Sequence, residues 1–139
     1  MSRLFIDTSG WASLFIPTES FHIQAAHHFA QAQKQYQSLI TTNYIVTELV
    51  ALLSIRQCAP RNTLFQYIDS IRTASIVEVI HIDAATDTTA WELCKSRPDK
   101  VWSLVDCTSF VIMQRSGIQN ALTTDHHFEQ AGYVRLLKR

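Results

Sequence analysis

The sequence has no CxxC pair, no glycine-rich segment, no surplus of charge and no long apolar run, and each lack removes a class of function. Its three cysteines, Cys58, Cys94 and Cys107, are an odd number, and each falls inside a helical apolar pattern. They read as reduced core thiols of a cytosolic protein. With only three glycines and three prolines there is no long linker, and no repeat, phosphate-cradling loop, nucleophile elbow or HExxH motif is visible. Twelve basic residues balance twelve acidic ones, so no global positive field advertises nucleic-acid binding. A local basic rim around an acidic pocket would not show in that total. Leu4-Phe5-Ile6 reaches Asp7 too soon for a signal-peptide core, and no run approaches the ~18 residues of a membrane span. These absences imply a soluble, cytoplasmic protein with no membrane partner.

What is present is material for a core. Of 139 residues, 47% are hydrophobic and 17% charged, below the usual quarter; neither value suggests disorder, and the length suits one domain over residues 1–139. Strands are expected at residues 4–6, 38–41, 76–82, 121–123 and 133–137. Helices are expected at 11–15, 21–36, 44–57 capped by Asn43, 61–74 after Pro60, from Asp83 to before Pro98, from Ser103 to Gln114, and briefly before Gly132. Strands separated by helices imply a parallel sheet covered on both faces, a three-layer α/β fold. Ligands bind such sheets beyond the carboxyl ends of the strands, where the strand order reverses. Asp7 and Asp125 each follow a strand. If the first and fourth strands flank the reversal, their carboxylates converge on one crevice.

Four acids stand out, each with a bland alternative. Asp7 could be only a helix cap, and Asp125, before His126-His127-Phe128, could cap the short helix that follows. Ser103 and Asp106 have the S-x-x-D spacing of a capping box, although Asp106 shares an inward stripe with Trp102, Ser109, Phe110 and Met113. Glu48 lies among Tyr44, Ala51, Leu52 and Ile55 on a helix apolar nearly all round, where an unpaired carboxylate is expensive. Four such acids in one small domain are less easily explained as four caps. Gathered carboxylates repel until a cation neutralises them, and hard oxygen ligands favour Mg²⁺ or Mn²⁺. Such an ion can acidify a bound water and offset charge on a scissile phosphate. The adjacent pairs His27-His28 and His126-His127 read as surface or rim histidines, since neighbours on a helix point different ways. Trp11, Trp91 and Trp102 read as core.

Phe5-Ile6-Asp7-Thr8-Ser9, Asn43-Tyr44-Ile45-Val46-Thr47-Glu48, Trp102-Ser103-Leu104-Val105-Asp106 through Phe110, and Ala121-Leu122-Thr123-Thr124-Asp125 through Phe128 resemble, in that order, the motifs of PIN domains. The resemblance covers essentially the whole chain. It implies an α/β/α PIN-like fold with a parallel five-stranded sheet ordered 3-2-1-4-5, and a VapC-like toxin of a toxin–antitoxin pair. The activity it implies is a Mg²⁺- or Mn²⁺-dependent endoribonuclease. By the same resemblance Asp7, Glu48, Asp106 and Asp125 form the catalytic quartet. Asp7 and Asp106 are its direct metal ligands, and Glu48 and Asp125 bind directly or through water. Thr8, Ser9, Ser109 and Thr124 are candidate hydroxyls orienting the carboxylates. An RNA substrate, a small antitoxin that enters the groove and a homodimer are the partners implied. Arg56, Arg61, Lys95, Arg97, Lys100 and Arg115 are candidate RNA contacts or ordinary solvated charges.

Two other classes compete with an enzyme of this kind. A PIN-like module could grip RNA or a protein without cutting, which intact acids argue against. A phosphatase or receiver domain also places an Asp after its first strand. The former wants a second Asp where Ser9 stands, and the latter wants adjacent acids that Arg3-Leu4-Phe5-Ile6 does not supply.

Overall fold

The computed structural model describes residues 3–139. Five strands run β1 (Arg3–Ile6), β2 (Ser38–Thr42), β3 (Val77–Ile80), β4 (Asn120–Leu122) and β5 (Val134–Arg135). Seven helices lie between them: α1 (Thr8–Phe15), α2 (His22–Lys34), α3 (Asn43–Arg56), α4 (Arg61–Thr73), α5 (Ala84–Ser96), α6 (Leu104–Ser116) and α7 (His127–Gln130). All strand pairs are parallel, in the order β3-β2-β1-β4-β5. The expected sheet and strand order are therefore present. Parallel pairing needs a crossover between strands, which the helices supply. Leu4, Phe5, Ile6 and residues 39–42 are all buried, as they must be in a sheet covered on both faces.

The strand order reverses between β1 and β4, where Phe5 pairs with Ala121 and Ile6 with Leu122. The chain leaves both strands at the same edge of the sheet, so residue 7 and residues 123–125 emerge side by side. The backbone N–H of Asp7 donates to the Leu122 carbonyl at 3.2 Å, which carries the pairing one residue past β1. Beneath this end, Trp11 is buried with its indole N–H donating to Thr41 Oγ1 at 3.2 Å. That hydroxyl in turn donates to the Ile6 carbonyl at 3.0 Å, so α1, β2 and β1 are joined by one buried chain of hydrogen bonds.

Local signals account for some of the helix ends. Ser103 and Asp106 form the expected reciprocal capping box on α6, and Gly117 closes that helix at φ +67°. Other expectations are corrected. The cap of α3 is Thr42, whose hydroxyl accepts from Ile45 N at 3.2 Å; Asn43 instead reaches across to accept from Ile82 N at 2.8 Å. Trp91 is 51% exposed, because α5 packs mainly on α6 and leaves that side of its surface uncovered. The stripe around Glu48 is not core either: Ala51 and Ile55 are exposed and Leu52 is half-buried, since α3 buries Ile45, Val46, Leu49 and Leu53 on its other side.

Gly10 allows α1 to approach β4. A Cβ on Gly10 would lie 2.1 Å from the Leu122 carbonyl oxygen, which is backbone and cannot swing aside. Substituting Gly10→Ala is therefore expected to lower unfolding free energy by about 1–3 kcal/mol, measured by denaturant titration. A variant as stable as the parent would mean that α1 does not sit this close to β4.

Candidate active site

The four acids selected from the sequence line one open cleft of about 690 Å³, together with Thr8, Ser9, Leu52, Val101, Ser103, Thr124, His126 and His127. Asp7 sits at the N-cap position of α1 but makes no side-chain capping bond. Its carboxylate turns into the cleft, so the bland reading of this residue fails. Asp106 both caps α6 and faces the cleft, and Asp125 accepts from His127 N at 2.9 Å at the start of α7 while lining the same space.

Side-chain hydrogen bonds grip one oxygen of each carboxylate. Thr123 Oγ1 donates to Asp7 Oδ2 at 2.8 Å, and Ser9 Oγ lies 3.3 Å from the same oxygen. The Thr8 hydroxyl donates to Glu48 Oε1. Asp106 Oδ2 accepts from Ser103 N at 3.1 Å, and Asp125 uses Oδ1 for His127 N. These bonds engage Oδ2 of Asp7 and Asp106, Oε1 of Glu48 and Oδ1 of Asp125. An all-oxygen donor set of this kind fits a hard divalent cation.

Of the four candidate hydroxyls, two lie against the acids and two bond elsewhere. Thr8 and Ser9 touch the acids as anticipated. Ser109 is buried with its hydroxyl donating to Val105 O at 3.0 Å, one turn back on its own helix. Thr124 lines the cleft, but it bonds through its backbone: its N–H donates to Ser9 Oγ at 2.9 Å and its carbonyl accepts from Arg135 at 3.0 Å. The hydroxyl of this pair that reaches Asp7 is that of its neighbour Thr123. Fully buried, Thr123 donates to Asp7 and accepts from Asp125 N at 3.0 Å, tying the carboxyl ends of β1 and β4 together. Sequence offered two adjacent threonines after a short strand, and only the parity of the strand distinguishes them.

The histidine expectation is also corrected. His126 is the cap of α7 and His127 its first residue, so the two are not successive positions inside a helix. Their rings and the Asp125 carboxylate present ligand atoms all within 4.8 Å of one another. Nδ1 of His127, with 16% of its side chain exposed, lies 3.3 Å from both Asp106 Oδ2 and Asp125 Oδ1. With both acids ionised, only a protonated Nδ1 can serve them as a donor.

The electrostatics record the crowding. Burial pushes the Asp7 carboxyl up to about 7, opposed by the Thr123 and Thr8 hydrogen bonds and reinforced by Asp106 and Glu48. Burial likewise raises Glu48, against the Thr8 hydrogen bond and with Asp106 and Asp125 adding to it. It raises Asp106 too, with Asp125 adding to the effect and Ser103 N–H and His127 opposing it.

None of the six cations named from the sequence lines the acidic cleft. Arg56 lines an adjoining hollow of about 250 Å³ that shares Ser9, Leu52 and Thr124 with the cleft, and it pairs there with Glu19 at 2.7 Å. Lys95, Arg97 and Lys100 pair with Glu92 or Asp99, Arg115 donates to Thr86 Oγ1, and Arg61 donates to Ser54.

No family model matches the chain. The 23S rRNA-specific endonuclease VapC20 of Mycobacterium tuberculosis is 33% identical over 133 residues, 96% of this chain and 97% of that protein. The chain belongs to the VapC-like PIN-domain toxin family. The crystal structure of VapC20, described as a sarcin–ricin loop-cleaving toxin, superposes with a TM-score of 0.83 at 31% identity over 94% of this chain and 96% of that one. PAE2754 from Pyrobaculum aerophilum shares the fold at a TM-score of 0.65 and 14% identity, over 97% of this chain and 84% of that one. No helix among the described residues is long and apolar enough to cross a membrane.

The raised carboxyl of Asp7 has a consequence for this VapC-like protein in the absence of metal. Below about pH 4 the group is protonated in both folded and unfolded chains and contributes nothing. Between about 4 and about 7 the folded protein keeps a proton that the unfolded chain has released, so stability falls as pH rises. Glu48 and Asp106 act in the same direction. The chelator-treated protein should therefore melt at a lower temperature at pH 8 than at pH 5.5, and Asp7→Asn should flatten the difference. An unchanged slope in that variant would place the ionisation cost elsewhere.

Proposed function

We propose that this protein is a Mg²⁺- or Mn²⁺-dependent endoribonuclease, the toxin of a toxin–antitoxin pair, whose catalytic residues are Asp7, Glu48, Asp106 and Asp125. The observation that carries the reading is the convergence of four carboxylates on one cleft, with three of them raised above their ordinary pKa. Kinship with an rRNA endonuclease supports the substrate class.

Asp7 and Asp106 are the proposed direct ligands, with Glu48 and Asp125 binding the ion directly or through water. When bound, the cation supplies positive charge to a scissile phosphate and lowers the pKa of an attacking water. Thr123 and Ser9 hold Asp7 in register with β4, and Thr8 holds Glu48 on the facing helix. Hydroxyls in this position fix carboxylate orientation. His127 Nδ1 lies between Asp106 and Asp125, 3.3 Å from each, where an N–H at that atom would bridge two like charges that otherwise repel. Attack by water needs no RNA 2′-hydroxyl, so the products are a 5′-phosphate and a 3′-hydroxyl. A small antitoxin and a second copy of the chain are the proposed protein partners.

Purified protein freed of any partner, incubated with ribosomal RNA fragments and a broad RNA panel, should cut only with Mg²⁺ or Mn²⁺ present. Asp7→Asn and Asp106→Asn should each reduce cleavage by ~10²-fold or more. Thr123→Val should cost about 10–100-fold through the ligand it orients, while Thr124→Val stays near the parent. Products with 2′,3′-cyclic phosphate ends would contradict the mechanism. Folded, metal-binding protein that cuts nothing on the panel would favour a non-catalytic binding module.

A further inference from the structure

The sequence places Cys94 and Cys107 thirteen positions apart with no motif between them, yet the fold turns their thiols toward each other across α5 and α6, Sγ to Sγ at 2.9 Å. That separation is inside the contact distance of unbonded heavy atoms, about 3.5–4.0 Å even for carbon. Their setting is a small apolar cluster of Ala90, Cys107 and Val111, with Cys94 and Leu93 packed against it. Cys107 is fully buried, while Cys94 is partly open to solvent. Cys58 belongs to the separate main core.

We propose that Cys94 and Cys107 are a covalent modification site, closing to an intramolecular disulfide on reaction with a two-electron oxidant of the hydroperoxide class. The accessible Cys94 sulfur attacks the peroxide oxygen; the O–O bond breaks, leaving a sulfenic acid on Cys94 and releasing water. The Cys107 sulfur then attacks the Cys94 sulfur; the S–S bond forms, the S–O bond breaks, and hydroxide leaves with the Cys107 proton as a second water. Two thiols lose two electrons, and one hydrogen peroxide is reduced to two waters.

The closed ring contains part of the acidic cleft. Val101 and Ser103, between the two cysteines, line the cleft, and Asp106 precedes Cys107 directly. The Ser103 carbonyl already receives the Cys94 thiol at 3.5 Å and the Cys107 N–H at 3.0 Å. A bond between the sulfurs therefore pins this wall to α6 at the turn that carries Asp106. Constraining the loop in the unfolded chain also stabilises the fold.

The test is treatment of the native, full-length protein with stoichiometric hydrogen peroxide, beside Cys58→Ser, Cys94→Ser and Cys107→Ser. Free thiols should fall from three to one, with the intact mass lower by two hydrogens and a Cys94–Cys107 peptide in the non-reduced digest. The oxidised parent and the Cys58→Ser variant should melt several degrees higher than their reduced forms, and Cys94→Ser should show no such gain. Dithiothreitol should restore all the thiols. Cys94 ending as a sulfinic acid beside a free Cys107 would overturn the proposal. So would linkage between copies, or a bond to Cys58.

Discussion

The central constraint is electrostatic: like charges must share one small volume at the carboxyl ends of β1 and β4. At an effective dielectric of about 20, two unit charges ~5 Å apart repel by about 3 kcal/mol, against a typical total stability of ~5–15 kcal/mol. The protein meets part of this cost with donors placed on one oxygen of each acid: Thr123 and Ser9 for Asp7, Thr8 for Glu48, Ser103 N–H for Asp106 and His127 N–H for Asp125. Asp7 remains raised despite the hydrogen bonds from Thr123 and the Thr8 backbone, so donors alone do not neutralise the site. Under the proposed function, a divalent cation would complete the compensation and supply the positive charge that hydrolysis by water uses.

The fold serves that constraint. A parallel sheet with β1 beside β4 brings residue 7 next to residues 123–125 without any special loop. Thr123 then bridges the two strand ends, so the distance between Asp7 and Asp125 is fixed by a buried hydroxyl rather than by flexible chain. Gly10 lets α1 settle against Leu122, and the Trp11–Thr41–Ile6 hydrogen-bond chain anchors the same corner from below. Glu48 comes from α3 and Asp106 from the capping box of α6, so each acid rests on a different element.

Most of the architecture was legible because apolar strands and capped helices alternate in a regular order. The PIN motifs supplied the strand order, and the Ser103–Asp106 spacing correctly announced its box. Features decided by tertiary contact were harder to read. Thr123 and Thr124 are chemically identical, and which one faces Asp7 depends on the strand's register against β1. His127 read as a rim residue because a helix was assumed to begin before it. Trp91 looked apolar enough for the core, but burial depends on what packs opposite, and there α5 has no partner helix. The Cys94–Cys107 approach spans two helices and leaves no mark in local spacing.

The most direct test is calorimetric titration of Mn²⁺ into the metal-free protein at pH 6 in two buffers of different ionisation enthalpy, repeated with Asp7→Asn. The account predicts that binding displaces protons from the native protein, chiefly the one held by Asp7, and that both affinity and proton release drop sharply in the variant. Binding of equal strength with unchanged proton release in Asp7→Asn would contradict it, because the cation would then sit somewhere other than among these carboxylates.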